Sequence, residues 1–371
     1  MGQASPYLRR GKYLHVAERL SRRILSGDYH LHGLPAEREL AEEVGVSHVT
    51  VRKAIQKLLD EGLLRRETNG RLEVQRGDAT GVGVAQIALV VPAWQSAEVS
   101  NWYLALAELG TRHPCSVRLV YYAHWDDPAL LSALERFDGS FFLPVPEPMP
   151  AYFLPAFLKL DRPIAVLDVD WSQHGVPSVQ LYPPVFVQKL LDHLAEQGHE
   201  RIDCLNVQPT DTVIAARMAQ WQIWMAARGF EGELVDEPVQ AYTHAIAAAY
   251  AVMSRRIEAG QAHGTALLCT TEPAAAGAMR AMIDHGIEPG RDVAVCTIDG
   301  EMRAAYHMPS LTSLEAPDPK PYLGVALAWM LDGNNRRWTG SLRVQPGEIA
   351  AVARESTTSF RAKVRGNDLS P

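Results

Sequence analysis

Apolar side chains recur at intervals of three and four residues in three stretches near the N-terminus, which predicts three short amphipathic helices. Gly27 and Gly45 follow the first two stretches as helix ends, Pro35 opens the second, and Ser47 precedes the third as an N-cap. The predicted inward faces carry Tyr13, Val16, Ala17, Leu20 and Ile24, then Leu40, Ala41 and Val44, then Val51, Ile55 and Leu58.

Two short alternating runs follow Gly62. Leu63–Glu67 and Arg71–Gln75 are joined by Thr68-Asn69-Gly70, a sequence typical of a tight β-turn. Three helices followed by a hairpin predict a winged helix-turn-helix.

The pattern of apolar and polar residues changes from Gln86 onward, where short apolar runs alternate with helical stretches. This alternation is typical of a parallel α/β sheet with helices on both faces, in one large lobe or two smaller ones. The predicted strands are Ile87–Val91, Val117–Tyr121, Ser140–Leu143, Ile164–Leu167, Ile202–Asn206, Ala266–Cys269 and Val293–Ile298.

Length and composition agree with a two-domain globular protein. The 371 residues are 47% hydrophobic, without a run of the roughly 20 apolar residues that a membrane span needs. No apolar segment of a signal peptide follows Met1, so we expect a cytoplasmic protein without membrane contact. Four widely spaced cysteines predict buried free thiols rather than a metal or redox site.

Charge is distributed unevenly along the chain. Residues 1–78 hold 14 Lys and Arg against 11 Asp and Glu, a net charge of +3, whereas the whole chain carries −7. The remainder therefore carries −10, which indicates that only the N-terminal domain meets phosphate.

The third predicted helix presents a polar face suited to the DNA major groove. His48, Arg52 and Lys53 point away from its apolar side, and Ser47 and Thr50 place hydroxyl groups at its N-terminus. Arg52 can bind guanine with two hydrogen bonds, whereas Lys53 more readily contacts phosphate. A charged helix can also simply be solvated, so the pattern alone leaves a protein-interaction module open.

Leu34–Ala41, Val46–Ala54 and Glu61–Leu63 together resemble the winged helix-turn-helix of GntR-family regulators over roughly residues 12–76. His48 departs from the family, which usually has arginine there. The resemblance implies DNA contacts from Arg38, Thr50 and Arg52, and a wing tip at Asn69-Gly70. The full predicted DNA-binding set is Arg38, Ser47, His48, Thr50, Arg52, Lys53, Asn69 and Gly70.

The carboxyl ends of parallel strands are where α/β sheets bind ligands. Asp168 and Asp299 each follow a predicted strand, and Arg217 lies in a helix after another. Carboxylates and an arginine around a cleft can hold vicinal hydroxyl groups. Strand-end capping by the aspartates and a plain ion pair for Arg217 are the alternatives.

A second resemblance covers about residues 86–360. His193–Ile202, Gly277–Met282, Asp292–Val295, Pro309–Ser313 and Arg354–Thr357 fit LacI/GalR regulators in order. It implies a periplasmic-binding-protein-like body with two lobes, three crossovers, a cleft for a sugar or similar metabolite, and side-by-side dimerisation.

By position, Asp168, Arg217 and Asp299 match ligand contacts of that family, and His244 stands where a stacking aromatic is frequent. Thr271-Glu272 and Tyr182 replace residues that commonly bind sugar hydroxyls, and all three are expected to contact the ligand. Trp94 and Trp102 are expected to line the first lobe's side of the cleft. His244 as an exposed helix start, and the tryptophans as core or dimer contacts, remain alternatives.

The predicted domains are a winged helix-turn-helix (1–76), a glycine-rich linker (77–84), a ligand-binding body (85–362) and a tail (363–371). Lobe 1 is expected at about 85–181 and 313–338, and lobe 2 at about 182–312 and 339–362. A GntR-type head on a LacI-type body resembles the arabinose-responsive repressor type.

The sequence therefore predicts a DNA-binding transcription regulator, a repressor by resemblance, controlled by a small ligand such as a carbohydrate. A non-sugar metabolite, or a body that serves mainly for dimerisation, is the alternative. Because no lysine lies in a convincing pyridoxal-phosphate site and no hydrolase or nucleotide-binding motif occurs, we expect no catalytic residue, cofactor or metal. The expected partners are operator DNA, the ligand and a second copy of the chain.

Overall fold

The computed structural model describes most of the head and body in eight segments. The predicted linker (apart from residue 84) and the tail 363–371 lie outside them. The described segments are 6–29, 33–68, 70–75, 84–94, 96–261, 264–300, 303–332 and 338–358, with side chains from residue 11 onward. None of the helices in these segments is both long and apolar enough to span a bilayer.

The N-terminal head consists of three helices and an antiparallel hairpin, which confirms the winged helix-turn-helix. Leu20, Leu40, Val51 and Leu58 are fully buried at its centre, so the predicted apolar faces meet in one core. Its elements are α1 (Pro6–Leu25), α2 (Glu37–Val44), α3 (His48–Asp60), β1 (Leu64–Arg66) and β2 (Leu72–Val74).

Helix α2 begins two residues later than Pro35 suggested. Ala36 is extended, and its backbone N–H donates to the Glu39 carboxylate at 3.0 Å. This hydrogen bond satisfies a donor at the start of the helix, and Gly45 at φ 72° closes the other end.

The first lobe of the body alternates strands with helices, as predicted. Its elements are β3 (Ala85–Pro92), α4 (Ala97–Gly110), β4 (Cys115–Tyr122), α5 (Pro128–Arg136), β5 (Gly139–Phe142), α6 (Phe153–Phe157), β6 (Ile164–Leu167) and β7 (Ser178–Val179). The neighbouring strands are parallel, and β3 is buried along almost its whole length because helices cover both faces.

The second lobe repeats this plan. Its elements are α7 (Val187–Glu196), β8 (Ile202–Asn206), α8 (Thr212–Arg228), β9 (Leu234–Asp236), α9 (Ala245–Glu258), β10 (Ala266–Cys269), α10 (Glu272–Asp284), β11 (Ala294–Thr297) and β12 (Thr312–Leu314). Strands β8 to β12 are all parallel to their neighbours in this set.

The chain then returns to each lobe once more, through α11 (Lys320–Leu331) and β13 (Arg343–Val344), then β14 (Ala351–Val352) and α12 (Glu355–Thr358). The first sheet has the order β13-β7-β6-β5-β3-β4, and the second β14-β12-β11-β10-β8-β9. Two sheets built mainly of parallel strands confirm the predicted fold class.

Two predicted crossing points differ from the observed ones. Residue 313 was assigned to lobe 1, but Ser313 pairs with Thr297 and Val352 of the second sheet. Residues 339–344 were assigned to lobe 2, but Arg343 pairs with Ser178 of the first sheet. The crossings therefore follow Leu314 and Val344, because these short strands complete the hydrogen bonding of the sheet edges.

Head and body touch where α1 ends. Gln86 of β3 donates to the Leu25 carbonyl at 3.1 Å, and Arg118 of β4 donates to the Ser26 carbonyl at 3.1 Å and to Asp28 at 2.6 Å. Burial favours a higher pKa for Asp28, but the guanidinium groups of Arg118 and Arg23 outweigh it and lower the pKa. The contact is thus an ion pair supported by backbone hydrogen bonds.

All four cysteines are buried free thiols, as predicted. Cys115 begins β4 in lobe 1, and Cys204, Cys269 and Cys296 lie on three adjacent strands of lobe 2. Burial raises the pKa of each thiol.

Candidate functional site

The exposed face of α3 is fixed by its first turn. The Ser47 hydroxyl accepts from the Thr50 backbone N–H at 3.3 Å and lies 2.8 Å from the Thr50 hydroxyl. Both predicted residues therefore shape the helix N-terminus. Val51 on the opposite face is fully buried, and Arg52 and Lys53 are exposed.

One carboxylate gathers the cations beside this face. Glu37 of α2 lies 3.3 Å from His48 Nε2, 3.3 Å from Arg52 Nε and 3.4 Å from a terminal nitrogen of Arg66. Arg66 also donates to the Gly70 carbonyl at 3.2 Å, which ties the hairpin turn to the same cluster. Glu37 is 18% exposed, whereas the Arg52 side chain remains 68% exposed and open to a ligand.

His48, Arg52 and Gly70 were predicted from the sequence, whereas Glu37 and Arg66 were missed. Glu37 adjoins Arg38 in the GntR-like segment of α2, and this adjacency was the available signal. Arg38 is exposed on α2, Gly70 is exposed at φ 83°, and Asn69 lies outside the described residues.

Arg217 is the centre of the second candidate site, in the body. It projects from α8 and is 4% exposed. One terminal nitrogen donates to the Thr270 carbonyl at 2.8 Å and to Asp299 at 3.1 Å, while its buried Nε has no hydrogen-bond partner among the described residues. An unpaired buried donor is costly unless an acceptor reaches it.

Asp299 is held from two sides. Its second oxygen accepts from the backbone N–H of Glu272 at 2.6 Å, at the first turn of α10. The residue thus links the ends of β10 and β11 to Arg217. The ion pair named as the alternative for Arg217 is therefore present, and a ligand contact by the same residues stays a prediction.

Asp168 faces this pair from lobe 1. It follows β6 with φ 66°, a conformation uncommon outside glycine, held by its N–H to the Val179 carbonyl (2.8 Å) and by Gln180 donating to its carbonyl (2.9 Å). Burial raises the pKa of the Asp168 carboxyl to about 6; Arg217 opposes this effect, and Asp211 and Asp299 add to it. Charged side chains of the two lobes therefore interact electrostatically across the cleft.

Two acidic residues of this environment were not predicted. Asp211 caps α8, accepting from the N–H groups of Val213 (2.9 Å) and Ile214 (2.8 Å), and burial raises its pKa. Glu98, in the first turn of α4, interacts electrostatically with Arg217. In the sequence Asp211 is recognisable only as a helix cap. Nothing in the sequence shows that α8 starts at the cleft.

Other predicted ligand residues have partners within the protein. The Glu272 carboxylate is 4% exposed and pairs with Arg303 at 2.6 Å and His307 at 2.5 Å. The Thr271 hydroxyl accepts from the Gln208 amide at 3.1 Å. Glu272 is therefore occupied by two basic side chains rather than open to a ligand.

Trp102 and Tyr182 pack into the core, which for Trp102 is the alternative named beside lining the cleft. Trp102 is fully buried and Tyr182 is 5% exposed, both in the apolar cluster that runs through the two lobes. Helix α4 packs its inward face on the sheet, so Trp102 belongs to the core. His244 is exposed at the start of α9, which is the alternative expectation for that residue.

A pair of aromatic rings meets across the cleft. Trp94 follows β3 in lobe 1, and its ring centroid lies 5.8 Å from that of Tyr242 in lobe 2. Tyr242 has φ 68°, and its hydroxyl donates to the Ala123 carbonyl of lobe 1. Trp94 was predicted at the cleft, whereas Tyr242 was missed because tertiary contacts, not local sequence, impose its backbone conformation.

Metal binding finds no support in the described segments, where no group of three or more His, Cys, Asp and Glu side chains is placed to hold an ion. The polar groups of the cleft instead offer hydrogen-bond donors and acceptors. Such a set suits a polar organic ligand.

Two family models match separate parts of the chain. Residues 12–74 match the model of bacterial regulatory proteins, gntR family, and residues 191–357 match the periplasmic binding protein-like domain. The HTH-type transcriptional regulator MalR of Streptomyces coelicolor is 28% identical over 163 residues, 42% of this chain and 45% of MalR.

The HTH-type transcriptional repressor NagR of Bacillus subtilis is 44% identical over 55 residues, 15% of this chain and 23% of NagR. The chain thus matches less than half the length of either regulator. The LacI family transcriptional regulator CCPA from Weissella paramesenteroides, solved with bound glucose, has a TM-score of 0.61 at 18% identity, covering 74% of this chain and 98% of that one. The structural likeness shows the fold of the body. This chain therefore combines a gntR-family head with a periplasmic binding protein-like body.

Proposed function

We propose that this protein is a transcription regulator that binds operator DNA through its head and a small polar ligand, such as a sugar, through the cleft of its body. The observation that carries the proposal is the Glu37 cluster, which orients Arg52 on the exposed face of α3. A guanidinium held beside a helix N-terminus is suited to base and phosphate contacts in the major groove.

The body supports the second half of the proposal. Asp168, Arg217 and Asp299 come from different elements and meet at the carboxyl ends of the strands, where such folds bind ligands. The relatives that share the head or the fold are named as regulators, and one was solved with glucose. The proposal gives the chain no catalytic role.

Two copies of the chain would present two heads to two operator half-sites. We propose that ligand binding closes the cleft, rotates the lobes and changes the distance between the heads. The protein would act in the cytoplasm, where its DNA lies. Repression is the proposed direction of control.

DNA selection tests the proposal without assuming an operator sequence. The full chain is incubated with a randomised duplex library, and bound DNA is sequenced over several rounds. We expect enrichment of a motif with two related half-sites, and at least a tenfold weaker enrichment with Arg52→Ala.

The matched control is Arg112→Ala. Arg112 is 67% exposed and also pairs with a glutamate, but it lies just after α4 in the body. This variant should enrich the same motif as the wild type. Equal enrichment by wild type and Arg52→Ala, or no enrichment by the wild type, overturns the proposal.

A further inference from the structure

The cleft holds more negative than positive charge. Glu98 and Asp168 from lobe 1, and Asp211 and Asp299 from lobe 2, act on the single guanidinium of Arg217 or on one another. Among the described residues, Arg217 is the cation that acts on both Asp168 and Asp211. Within the described part of the chain, Asp168, Asp211 and Asp299 therefore share the positive charge of Arg217, in a body that is itself acidic by sequence.

These carboxyl groups are not equally available. Asp299 uses both oxygens, on Arg217 and on the Glu272 N–H, and Asp211 accepts from two N–H groups of α8. The Asp168 carboxylate accepts no hydrogen bond from the described residues, although its backbone is held on both sides. A ligand's donor group is therefore best received at Asp168.

Arg217 gives independent evidence of a missing partner. The side chain is only 4% exposed, and its Nε donor is unpaired among the residues that the structure describes. A hydroxyl oxygen of a ligand can accept from Nε. The ligand should thus present an acceptor toward Arg217 and a donor toward Asp168.

The rim adds a surface that attracts cations. Trp94 and Tyr242 place two aromatic rings 5.8 Å apart across the cleft, and the faces of such rings bind ammonium groups. Tyr242 also experiences the negative charges of Glu147 and Asp127. Rim and interior therefore favour the same sign of charge in a ligand.

We propose that the cleft binds a polyol that carries a protonated amino group, such as an amino sugar, and discriminates against its neutral and acidic counterparts. The ammonium group binds at Asp168 and neutralises part of the acidic excess, while a neighbouring hydroxyl oxygen accepts from Arg217 Nε. This inference rests on the proposed ligand-binding function of the body and specifies its ligand class.

The test uses matched sugars that differ mainly in charge. Glucosamine, glucose and glucuronate form one set, and galactosamine, galactose and galacturonate the other, each titrated into the full chain at pH 7.0 by calorimetry after a thermal-shift screen. We expect at least one amine to raise Tm by several degrees and to bind at least tenfold more tightly than its neutral and acidic counterparts.

Asp168→Asn locates the preference. The variant should lose at least tenfold in affinity for the amine and should narrow the difference between amine and neutral sugar. Asp284→Asn, on the surface of α10, is the matched control and should bind like the wild type.

A neutral or acidic sugar that binds as tightly as the amine overturns the proposal, as does the absence of a Tm shift with both amines. An amine whose affinity is unchanged in Asp168→Asn does so as well. The DNA selection with Arg52→Ala reports on the regulator function separately. A chain that enriches a motif but binds neither amine contradicts the ligand class alone.

Discussion

Asp168 combines a left-handed backbone with a half-buried carboxyl group whose pKa is raised. A raised pKa means that the charged form is less favourable in the folded protein than in the unfolded chain. The residue therefore destabilises the ligand-free protein at neutral pH. Such a cost is common where a side chain serves binding rather than stability.

Asp168→Asn should stabilise the ligand-free protein at pH 7.5 by about 1–2 kcal/mol, because it removes the half-buried charge. Asparagine also tolerates the left-handed conformation, so the backbone should not change. Thermal unfolding of both proteins, with Asp284→Asn as a control, measures the difference.

The pH dependence follows from the direction of the shift. Between the unfolded value of 3.8 and the folded value of about 6, the folded protein binds the proton more tightly, so wild-type stability gains as pH falls through 6. The advantage of the asparagine variant should therefore shrink between pH 7.5 and pH 5. An advantage that grows on acidification would contradict the assignment.

At the residue scale, the sequence placed polar side chains at the ends of apolar strands, and their contacts with a ligand stay a prediction. Asp168 and Asp299 were found in this way, and Arg217 by its place in the helix after β8. Tyr242 was not, because a bulky residue at positive φ is set by contacts that form only when the lobes meet. For Trp102 the core and the cleft were both left open, because helical spacing does not show which side of α4 faces the cleft.

At the scale of elements, Glu37 joins three parts of the head. It contacts His48 and Arg52 of α3 and Arg66 of β1 from its place on α2. Exposed ion pairs contribute little to stability, but they restrict the orientation of a side chain. The cluster therefore contributes more to the orientation of the Arg52 side chain than to the stability of the head.

Glu37→Gln should lower the preference for the selected motif over random DNA by about tenfold, because Arg52 loses its fixed orientation. Affinity for random DNA should rise slightly, since a negative charge near phosphate is removed. Fluorescence anisotropy with both duplexes at one salt concentration measures the two affinities.

Glu42→Gln removes the same charge from an exposed position of α2 and serves as the control. It should raise both affinities alike and leave the preference unchanged. A preference that is unaffected in Glu37→Gln would leave the cluster without a role in recognition.

Elements long enough to show a hydrophobic pattern were predictable from the sequence, and very short strands were not. The seven strands expected in the body all occur, because each is an apolar run bounded by polar residues, and all but β4 are almost fully buried. β7, β13 and β14 have two residues each, too few to show any period. They were missed, and the crossing points near 313 and 338 were misplaced with them.

On the scale of the whole molecule, the contact between Arg118 and Asp28 connects the head directly to the first sheet. Gly27 makes the approach possible, since its φ is 75° and a Cβ there would lie 2.7 Å from the Gln86 side chain. Movement of lobe 1 can therefore reach α1 through contacts other than the linker.

Arg118→Ala should weaken binding to a duplex with two copies of the selected half-site by about tenfold, because the heads are no longer held at a set spacing. Binding to a duplex with one copy should not change, since the recognition surface is intact. Anisotropy titrations with the two duplexes, compared with Arg112→Ala, measure both. A similar loss on both duplexes would indicate damage to the head itself.

The four buried thiols can report local unfolding of each lobe without an added label site. A disulfide reagent attacks only a thiolate that it can reach. Burial and a raised pKa therefore protect each cysteine while its lobe stays folded. The labelling rate of Cys115 then reports the local unfolding of lobe 1, and the labelling rates of the cysteines on β8, β10 and β11 report that of lobe 2. Labelling followed by peptide mass analysis can thus compare the opening rates of the two lobes in an unmodified chain.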